Sequence, residues 1–263
     1  MKGMIFAAGV GSRLRPFTDS HPKALAPVGG KPMLRRVIEK MTAAGITRIV
    51  VNTHHFPGQI TAYLEANDYF GADIVVSDES RALLDTGGGL LHARRFLDGD
   101  EPVVVHNADI LTDFNIVEML HRHLSENPLA TLLAFPRPSS RQLYFDSADD
   151  LRGWENINDG ERRPAGFDPS APGLSRLAFG GVHIISPAIF PILESYAANA
   201  GDVFSIIPFY LSVIGKERVK SFHPSESFRW HDIGTPEKLA AAEQSFASDY
   251  GVMPKFANSA GKM

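Results

Sequence analysis

Met4-Ile5-Phe6-Ala7-Ala8-Gly9-Val10-Gly11-Ser12-Arg13-Leu14 begins with an apolar run, breaks at a glycine turn and carries an arginine straight after it. Five apolar residues ended by Gly9 read as a strand covered on both faces, the pattern of a parallel sheet. The same alternation continues downstream. Pro32 opens a helix over 33–44 whose Met33, Leu34, Val37, Ile38 and Met41 share one face, and Gly45 stops it. Ile49-Val50-Val51 reads as a second strand, Gly58 to Ala66 as a helix and Ile74-Val75-Val76 as a third strand. Residues 87–96 read as a helix and Val103-Val104-Val105 as a fourth strand. Strands and helices alternating at this spacing predict an α/β fold: a Rossmann-like, mixed but mostly parallel central sheet flanked by helices. Ligands of such sheets lie beyond the carboxyl ends of the strands, which directs attention to 9–23, 52–55, 77–89 and 106–113.

The second half is less regular. A strand is expected at 130–135, then a Pro/Ser/Arg-rich loop from Pro136 to Arg141 and short strands near 143–145 and 151–154. Three prolines and three glycines in 159–173 predict an exposed loop. Leu177 to Ile185 reads as a strand, Ser205 to Leu211 as part of a helix, and Val219-Lys220-Ser221-Phe222 with Arg229 to Ile233 as a closing pair of strands. One domain is expected over 1–235, its halves 1–111 and 112–235 sharing a sheet without a flexible linker. A C-terminal helix from Pro236 and a mobile tail from Gly251 complete the chain.

Composition narrows the class. Among 263 residues, 44% are hydrophobic and 21% charged, the range of ordinary globular proteins. The absence of cysteine excludes disulfides, thiol nucleophiles and thiolate metal sites. The first nine residues hold one lysine and too short an apolar run for a secretory signal. No stretch approaches the roughly 20 apolar residues of a bilayer span. A cytoplasmic protein without membrane contact is expected. Net charge is −4, yet residues 1–48 carry nine basic residues against two acidic ones, Asp19 and Glu39. That asymmetry predicts an anion handled near the N-terminus. Half of those charges are also explained by a solvated helix face. The excess is too local, and too mixed with Gly and Pro, for a nucleic-acid-binding segment.

The glycine turn carries the strongest chemical signal. Gly9 and Gly11 directly after a buried strand allow a ligand close to the backbone, and amides there can cradle phosphate oxygens. Arg13 offers a planar fork and Lys23, after Pro22, a mobile point charge. Leu14 stands where a dinucleotide fingerprint needs its third Gly, and Gly30-Lys31 is followed by Pro32 rather than the Ser or Thr of a P-loop. An ordinary glycine turn is the plain alternative. The ten histidines form no zinc spacing, and His54, His55, His121 and His123 read mainly as structural, with one of the first two able to line a base pocket. No Gly-x-Ser-x-Gly elbow appears.

With Pro22-Lys23, the segment Gly9-Val10-Gly11-Ser12-Arg13 resembles the N-terminal motif of the sugar-1-phosphate nucleotidyltransferase family, and the resemblance runs to about Thr235. Asp85-Thr86-Gly87-Gly88-Gly89, Trp230-His231-Asp232-Ile233-Gly234-Thr235 and the compact size resemble the N-acetylmuramate α-1-phosphate uridylyltransferases within it. The resemblance implies transfer of a nucleotidyl group from a nucleoside triphosphate to a sugar 1-phosphate, with release of pyrophosphate and a need for Mg²⁺. UTP with N-acetylmuramate 1-phosphate is the expected pair; a hexose or heptose 1-phosphate with a thymidylyl or guanylyl donor is the alternative. A homo-oligomer is compatible with this.

It also implies site residues. Residues 1–111 become the nucleotide-binding half and 112–235 the sugar-binding half. Arg13, Lys23 and Asp109 are expected to be catalytic, with Asp109 and Asp232 holding the metal. Ala8, Gly9, Gly11, Ser12, Arg13, Lys23, Glu79, Thr86, Gly87 and Gly88 are expected around the nucleotide, Glu79 and the glycines toward the base. Asn107, Glu155, Gly180 and Gly181 are expected around the sugar. Asp109 at a strand end also suits Mg²⁺, which takes one or two carboxylates plus water and phosphate oxygens. Helix capping is the plain alternative for both aspartates, and flexible loop glycines for 87–89. Two departures stand out: Ala108 replaces the family's Gly before the aspartate, and Asn156 replaces a Lys. A related glycosyltransferase would show Asp-x-Asp where Asn107-Ala108-Asp109 stands, and a non-catalytic nucleotide-sugar sensor would not need Arg13, Lys23, Asp109 and Asp232 together.

Overall fold

In chain order the computed structural model contains β1 (Lys2–Phe6), β2 (Pro27–Val28), β3 (Lys31–Pro32), α1 (Met33–Ala43), β4 (Arg48–Thr53), α2 (Pro57–Glu65), β5 (Asp73–Asp78), α3 (Asp85–His92) and α4 (Arg94–Leu97). Then follow β6 (Val103–Asn107), β7 (Ile110–Thr112), α5 (Ile116–Glu126), β8 (Ala130–Phe135), β9 (Arg141–Phe145), β10 (Leu151–Asn156) and β11 (Arg162–Arg163). β12 (Ser175–Ile185), α6 (Ile189–Ala200), α7 (Ile206–Ser212), β13 (Val219–Phe222), β14 (Trp230–Asp232) and α8 (Pro236–Tyr250) close the fold. The structure describes residues 1–250, so the expected mobile tail from Gly251 lies outside the described residues.

A ten-stranded sheet runs β11-β10-β9-β12-β6-β1-β4-β5, with β8 also paired to β12 and β13 paired to β8. β6, β1, β4 and β5 are mutually parallel, as the apolar runs predict. β12 lies antiparallel to β6, which places strands of both halves in the same sheet. Side chains alternate across it. Met4, Val50 and Val105 pack toward α3, α6 and α7, and Ile5, Val51 and Val104 toward α1, α2 and α5. Each fully buried aliphatic side chain of these layers contributes about 1.5–3 kcal/mol.

Three expectations need correction. Residues 219–222 and 229–233 do not pair with each other. All four residues of β13 are buried, so it joins the core as a parallel neighbour of β8, while half-buried β14 pairs antiparallel with β7. The expected helix over 87–96 starts at Asp85 and breaks at Ala93 into α3 and α4. The expected loop over 159–173 holds the two-residue β11. α6 went unread in the sequence; only Ile189, Phe190 and Leu193 of its twelve residues are buried, and Pro191 sits in its first turn. Among the described residues no helix is long and apolar enough to cross a membrane.

Candidate active site

β1 delivers the glycine turn to the carboxyl edge of the sheet. Asn52, the residue of β4 opposite Phe6, accepts from the Ala7 amide through Oδ1 at 2.7 Å and fixes where the turn begins. Gly11 has φ of 68°. A Cβ there would also stand 2.9 Å from Cβ of Lys23 and 3.0 Å from Cγ2 of Thr18. Glycine at 11 therefore does two jobs: it takes a left-handed backbone and lets the Lys23 stem pass against the turn. Thr18 Oγ1 donates to the Gly11 carbonyl at 2.9 Å and locks the pair. Ala8 is buried behind the turn, and Gly9 faces open space. Gly9, Gly11, Ser12, Arg13, Lys23 and Asp109 line one cavity of about 280 Å³, with Thr86 and Asn107 at its far wall.

The two aspartates meet through strand register. Asp109 follows β6 and immediately precedes β7, and β14 lays Asp232 opposite Ile110. The Ile233 amide donates to the Asp109 carbonyl at 3.0 Å. Lys23 Nζ donates to Oδ2 of Asp109 at 2.5 Å, and Lys238 Nζ donates to Oδ2 of Asp232. The Gly234 amide donates to Oδ1 of Asp232 at 2.9 Å. A Cβ on Gly234 would lie 2.8 Å from that oxygen, 3.2 Å from an Arg13 guanidinium nitrogen and 3.7 Å from Lys23 Nζ. Residues 13, 23, 109 and 232 thus gather around one point. Burial alone raises the Asp232 carboxyl, but Lys238, the Gly234 amide and Lys23 hold it below its ordinary value. Two carboxylates, Asp109 held by the Lys23 ammonium and Asp232 by the Lys238 ammonium and the Gly234 amide, form an oxygen donor set that fits Mg²⁺, whose other ligands are water and phosphate. No group of three or more His, Asp or Glu suited to a metal occurs among the described residues.

Several predicted residues sit elsewhere than expected. Glu79 is 3% exposed and lines neither cavity. Its Oε1 accepts from Asn52 Nδ2 at 2.7 Å and its Oε2 from the Leu84 amide at 3.2 Å. Burial raises its pKa, partly countered by those two donors. It braces the turn through Asn52. Gly87 and Gly88 are also internal: both amides donate to the Phe204 carbonyl, at 2.9 and 3.1 Å. A Cβ at Gly87 would stand 2.4 Å from the Phe204 ring, and one at Gly88 2.1 Å from the Asp202 carbonyl oxygen. These glycines let the 202–204 segment touch α3, and their amides are spent on it. Thr86 does reach the cavity, while its Oγ1 accepts from the Ile206 amide at 2.9 Å. Gly180 and Gly181 lie at an irregularity of β12, where a Cβ on Gly181 would press on Ile110 and approach Asn107 Nδ2 at 3.2 Å. Ala108 is buried among Ala7 and Ala24, so its methyl packs inward. His54 Nδ1 meets the Glu79 carbonyl at 2.8 Å and His55 Nε2 the Thr18 carbonyl at 3.0 Å, which are bracing contacts.

A larger cavity of about 510 Å³ lies alongside, meeting the first where Thr86 Oγ1 and Ser205 Oγ stand 3.4 Å apart. Its walls include Trp154, Asn156, Phe179 and three arginines, 137, 141 and 163. Glu155 points the other way, as successive strand residues must. Its carboxylate accepts from Tyr144 Oη at 2.7 Å and Arg162 Nε at 2.9 Å, outside the cavity. Arg163 is neutralised by Glu161 at 2.6 Å. Among the described residues Arg137 has no carboxylate partner: it donates to the Phe179 carbonyl at 2.7 Å and covers the Trp230 ring at 4.4 Å, and its buried Nε has no partner there. Desolvation lowers its pKa, and Asp232 opposes that. The Arg141 guanidinium makes no ion pair among the described residues. Neither arginine was singled out from the sequence; the one available signal is a Pro/Ser loop from 136 to 141 with two arginines and no acid.

A family model described as nucleotidyl transferase matches residues 2–249. N-acetylmuramate α-1-phosphate uridylyltransferase of Caulobacter vibrioides is 31% identical, covering 93% of this chain and 96% of that one. The enzyme of the same name from Neisseria meningitidis is 31% identical, covering 92% and 97%. The solved structure of an apo UDP-glucose pyrophosphorylase superposes with a TM-score of 0.75 at 18% identity, over 95% of this chain and 99% of that one.

Proposed function

This chain belongs to the nucleotidyl transferase family, and from that premise we propose that it joins UTP to N-acetylmuramate 1-phosphate, giving the UDP-sugar and pyrophosphate. Its class, a sugar-1-phosphate nucleotidyltransferase acting on a nucleoside triphosphate and a sugar 1-phosphate, follows from the family; the choice of base and sugar is the proposal. The observation that carries the sugar assignment is the pair of arginines without carboxylate partners, Arg137 and Arg141, in the cavity beside the glycine turn. N-acetylmuramate bears a carboxylate that a neutral hexosamine lacks. A guanidinium recognises such a group through two parallel N–H bonds, and leaving a desolvated one empty is costly.

In this reading the triphosphate lies over Gly9, Gly11 and Ser12. Arg13 and Lys23 neutralise it and the charge that grows on the departing pyrophosphate. Lys23 already stands against Asp109, so a phosphate competing for its ammonium would release that carboxylate. Asp109 and Asp232 would hold Mg²⁺, which supplies charge neutralisation at the phosphate oxygens undergoing displacement. The attacking group is a phosphate oxygen, already anionic at neutral pH, so no general base is required. The chain's work is alignment: Thr86 and Asn107 border the first cavity, and the Gly180–Gly181 backbone passes beneath Asn107. A matrix of UTP, dTTP, GTP and CTP against the 1-phosphates of N-acetylmuramate, N-acetylglucosamine, glucose and mannose, read by pyrophosphate release, tests the assignment. UTP with N-acetylmuramate 1-phosphate should give the highest kcat/KM. A neutral sugar exceeding it would overturn the sugar assignment, and another triphosphate exceeding UTP would overturn the base.

A further inference from the structure

Behind the segment 106–112 lies a separate cavity of about 340 Å³, bounded by α1, β7 and Phe246 of α8. Lys40 and His106 both face it, and neither lines the phosphate cavity. His106 has no exposed surface. Its Nδ1 lies 2.8 Å from the Asn107 carbonyl, which can only accept, so Nδ1 carries the proton and Nε2 keeps a lone pair. That Nε2 is buried and has no hydrogen-bond partner among the described residues. Lys40 Nζ donates to the Phe114 carbonyl at 2.5 Å and stands 4.8 Å from the Phe114 ring centre, and it makes no ion pair among the described residues. Two of its three N–H groups are left over. The carboxylates nearby are spoken for: Asp113 pairs with Arg229 at 2.7 Å, and Glu39 with Lys31 and Arg35 at 2.9 and 2.7 Å. Burial lowers Lys40 to about 8, with Asp113 opposing, and His106 to about 4, as befits charge sites lacking a counter-group.

We propose that this cavity binds a phosphate group carrying one proton, whose oxygens accept from Lys40 Nζ and whose P–OH donates to His106 Nε2. Hydrogenphosphate and phosphate monoesters present donor and acceptor on one tetrahedral group at neutral pH. Sulfate presents acceptors only, so it leaves Nε2 unsatisfied. The cavity backs onto β7, and β7 pairs with β14, so an occupant there bears on the segments that carry Asp109 and Asp232. This site is distinct from the reaction cleft.

Calorimetric titration of the full chain with inorganic phosphate, comparing wild type, Arg13→Ala and Lys40→Met, separates the two sites. Arg13→Ala should retain one phosphate site; Lys40→Met should lose that site, with affinity falling at least about tenfold. Sulfate should bind it about tenfold more weakly or not at all. In Arg13→Ala, phosphate should shift the ¹⁵N signal of His106 Nε2. Glycerol 3-phosphate in place of phosphate distinguishes a monoester from the free anion, and Lys40-dependent binding of either supports the site. Should Lys40→Met fail to fold, Lys40→Gln and the His106 signal read the same site. Loss of all phosphate binding in Arg13→Ala, unchanged binding in Lys40→Met, or an unmoved His106 signal overturns the proposal. So does sulfate binding as tightly as phosphate, and a water bridging the two groups would give an unmoved His106 signal.

Discussion

Alanine in place of a helical glycine ordinarily stabilises a protein by up to about 1 kcal/mol. Gly88→Ala should do the reverse. The added Cβ would stand 2.1 Å from the Asp202 carbonyl oxygen and 3.1 Å from Leu84 Cβ. Backbone oxygen cannot rotate away, so the 202–204 segment must retreat by about 1 Å to reach ordinary contact. That retreat pulls the Phe204 carbonyl off the Gly87 and Gly88 amides, which it now meets at 2.9 and 3.1 Å. Two lost hydrogen bonds cost about 1 kcal/mol each, and overpacking adds about 1–3. Together they destabilise by about 3–5 kcal/mol, a large share of a typical domain's 5–15. Urea unfolding followed by circular dichroism reads the loss directly, with Gly58→Ala as control because a Cβ there meets nothing within 4 Å. Activity should fall too, because Thr86 reaches the cavity from the same turn. A Gly88→Ala midpoint equal to wild type would refute the packing account and return the triple glycine to a ligand-facing role.

Arg141→Gln should lower the preference for N-acetylmuramate 1-phosphate over N-acetylglucosamine 1-phosphate about tenfold in kcat/KM, with little effect on the neutral sugar; an unchanged ratio would show that the carboxylate is read elsewhere. Glu155→Gln should leave the sugar KM within about twofold of wild type, since its carboxylate faces Tyr144 and Arg162, and a tenfold rise would contradict that placement. Stability should drop on acidification below about pH 6.5. His106 and His123, lowered to about 4, and His183, lowered to about 3, are each depressed by burial, so the unfolded chain binds their protons first as pH falls. Each contributes about 1.4 kcal/mol per pH unit between 6.5 and its folded value. Glu79, raised by burial, works in the opposite sense above its ordinary value and offsets part of that slope. Urea midpoints measured across that range check it, and a flat profile would contradict the buried neutral histidines.

The parallel half of the fold was legible because β1, β4, β5 and β6 are short apolar runs separated by helical periodicity, a pattern with few alternative packings. β13 and β14 were legible as strands but not as partners, because pairing depends on which segment needs a buried neighbour, and sequence proximity suggested the wrong one. The glycine turn with Arg13 and Lys23 could be read from residue type and spacing. Asp232, 123 positions beyond Asp109, came only through family resemblance, since register between β7 and β14 is a tertiary fact. Glu155 was expected at the sugar; period-two alternation puts Trp154 and Asn156 along the larger cavity and the Glu155 carboxylate on Tyr144 and Arg162. Glu79 and the glycines at 87 and 88 were placed toward the base by resemblance, and the structure shows the internal contacts they make. A glycine needed for a ligand and a glycine needed for a neighbouring chain segment look identical in sequence, and only the Phe204 carbonyl separates them.

The common metal position proposed for residues 109 and 232 is tested most directly by a double-mutant cycle. Pyrophosphate release from UTP and N-acetylmuramate 1-phosphate would be measured in Asp109→Asn, Asp232→Asn and the double variant across a Mg²⁺ titration. Carboxylates holding one cation act as a unit, so each single variant should lose activity by orders of magnitude and the double should lose little more, with unfolding midpoints near wild type. Near-normal turnover by either single variant, or losses that multiply independently, would contradict a common metal position.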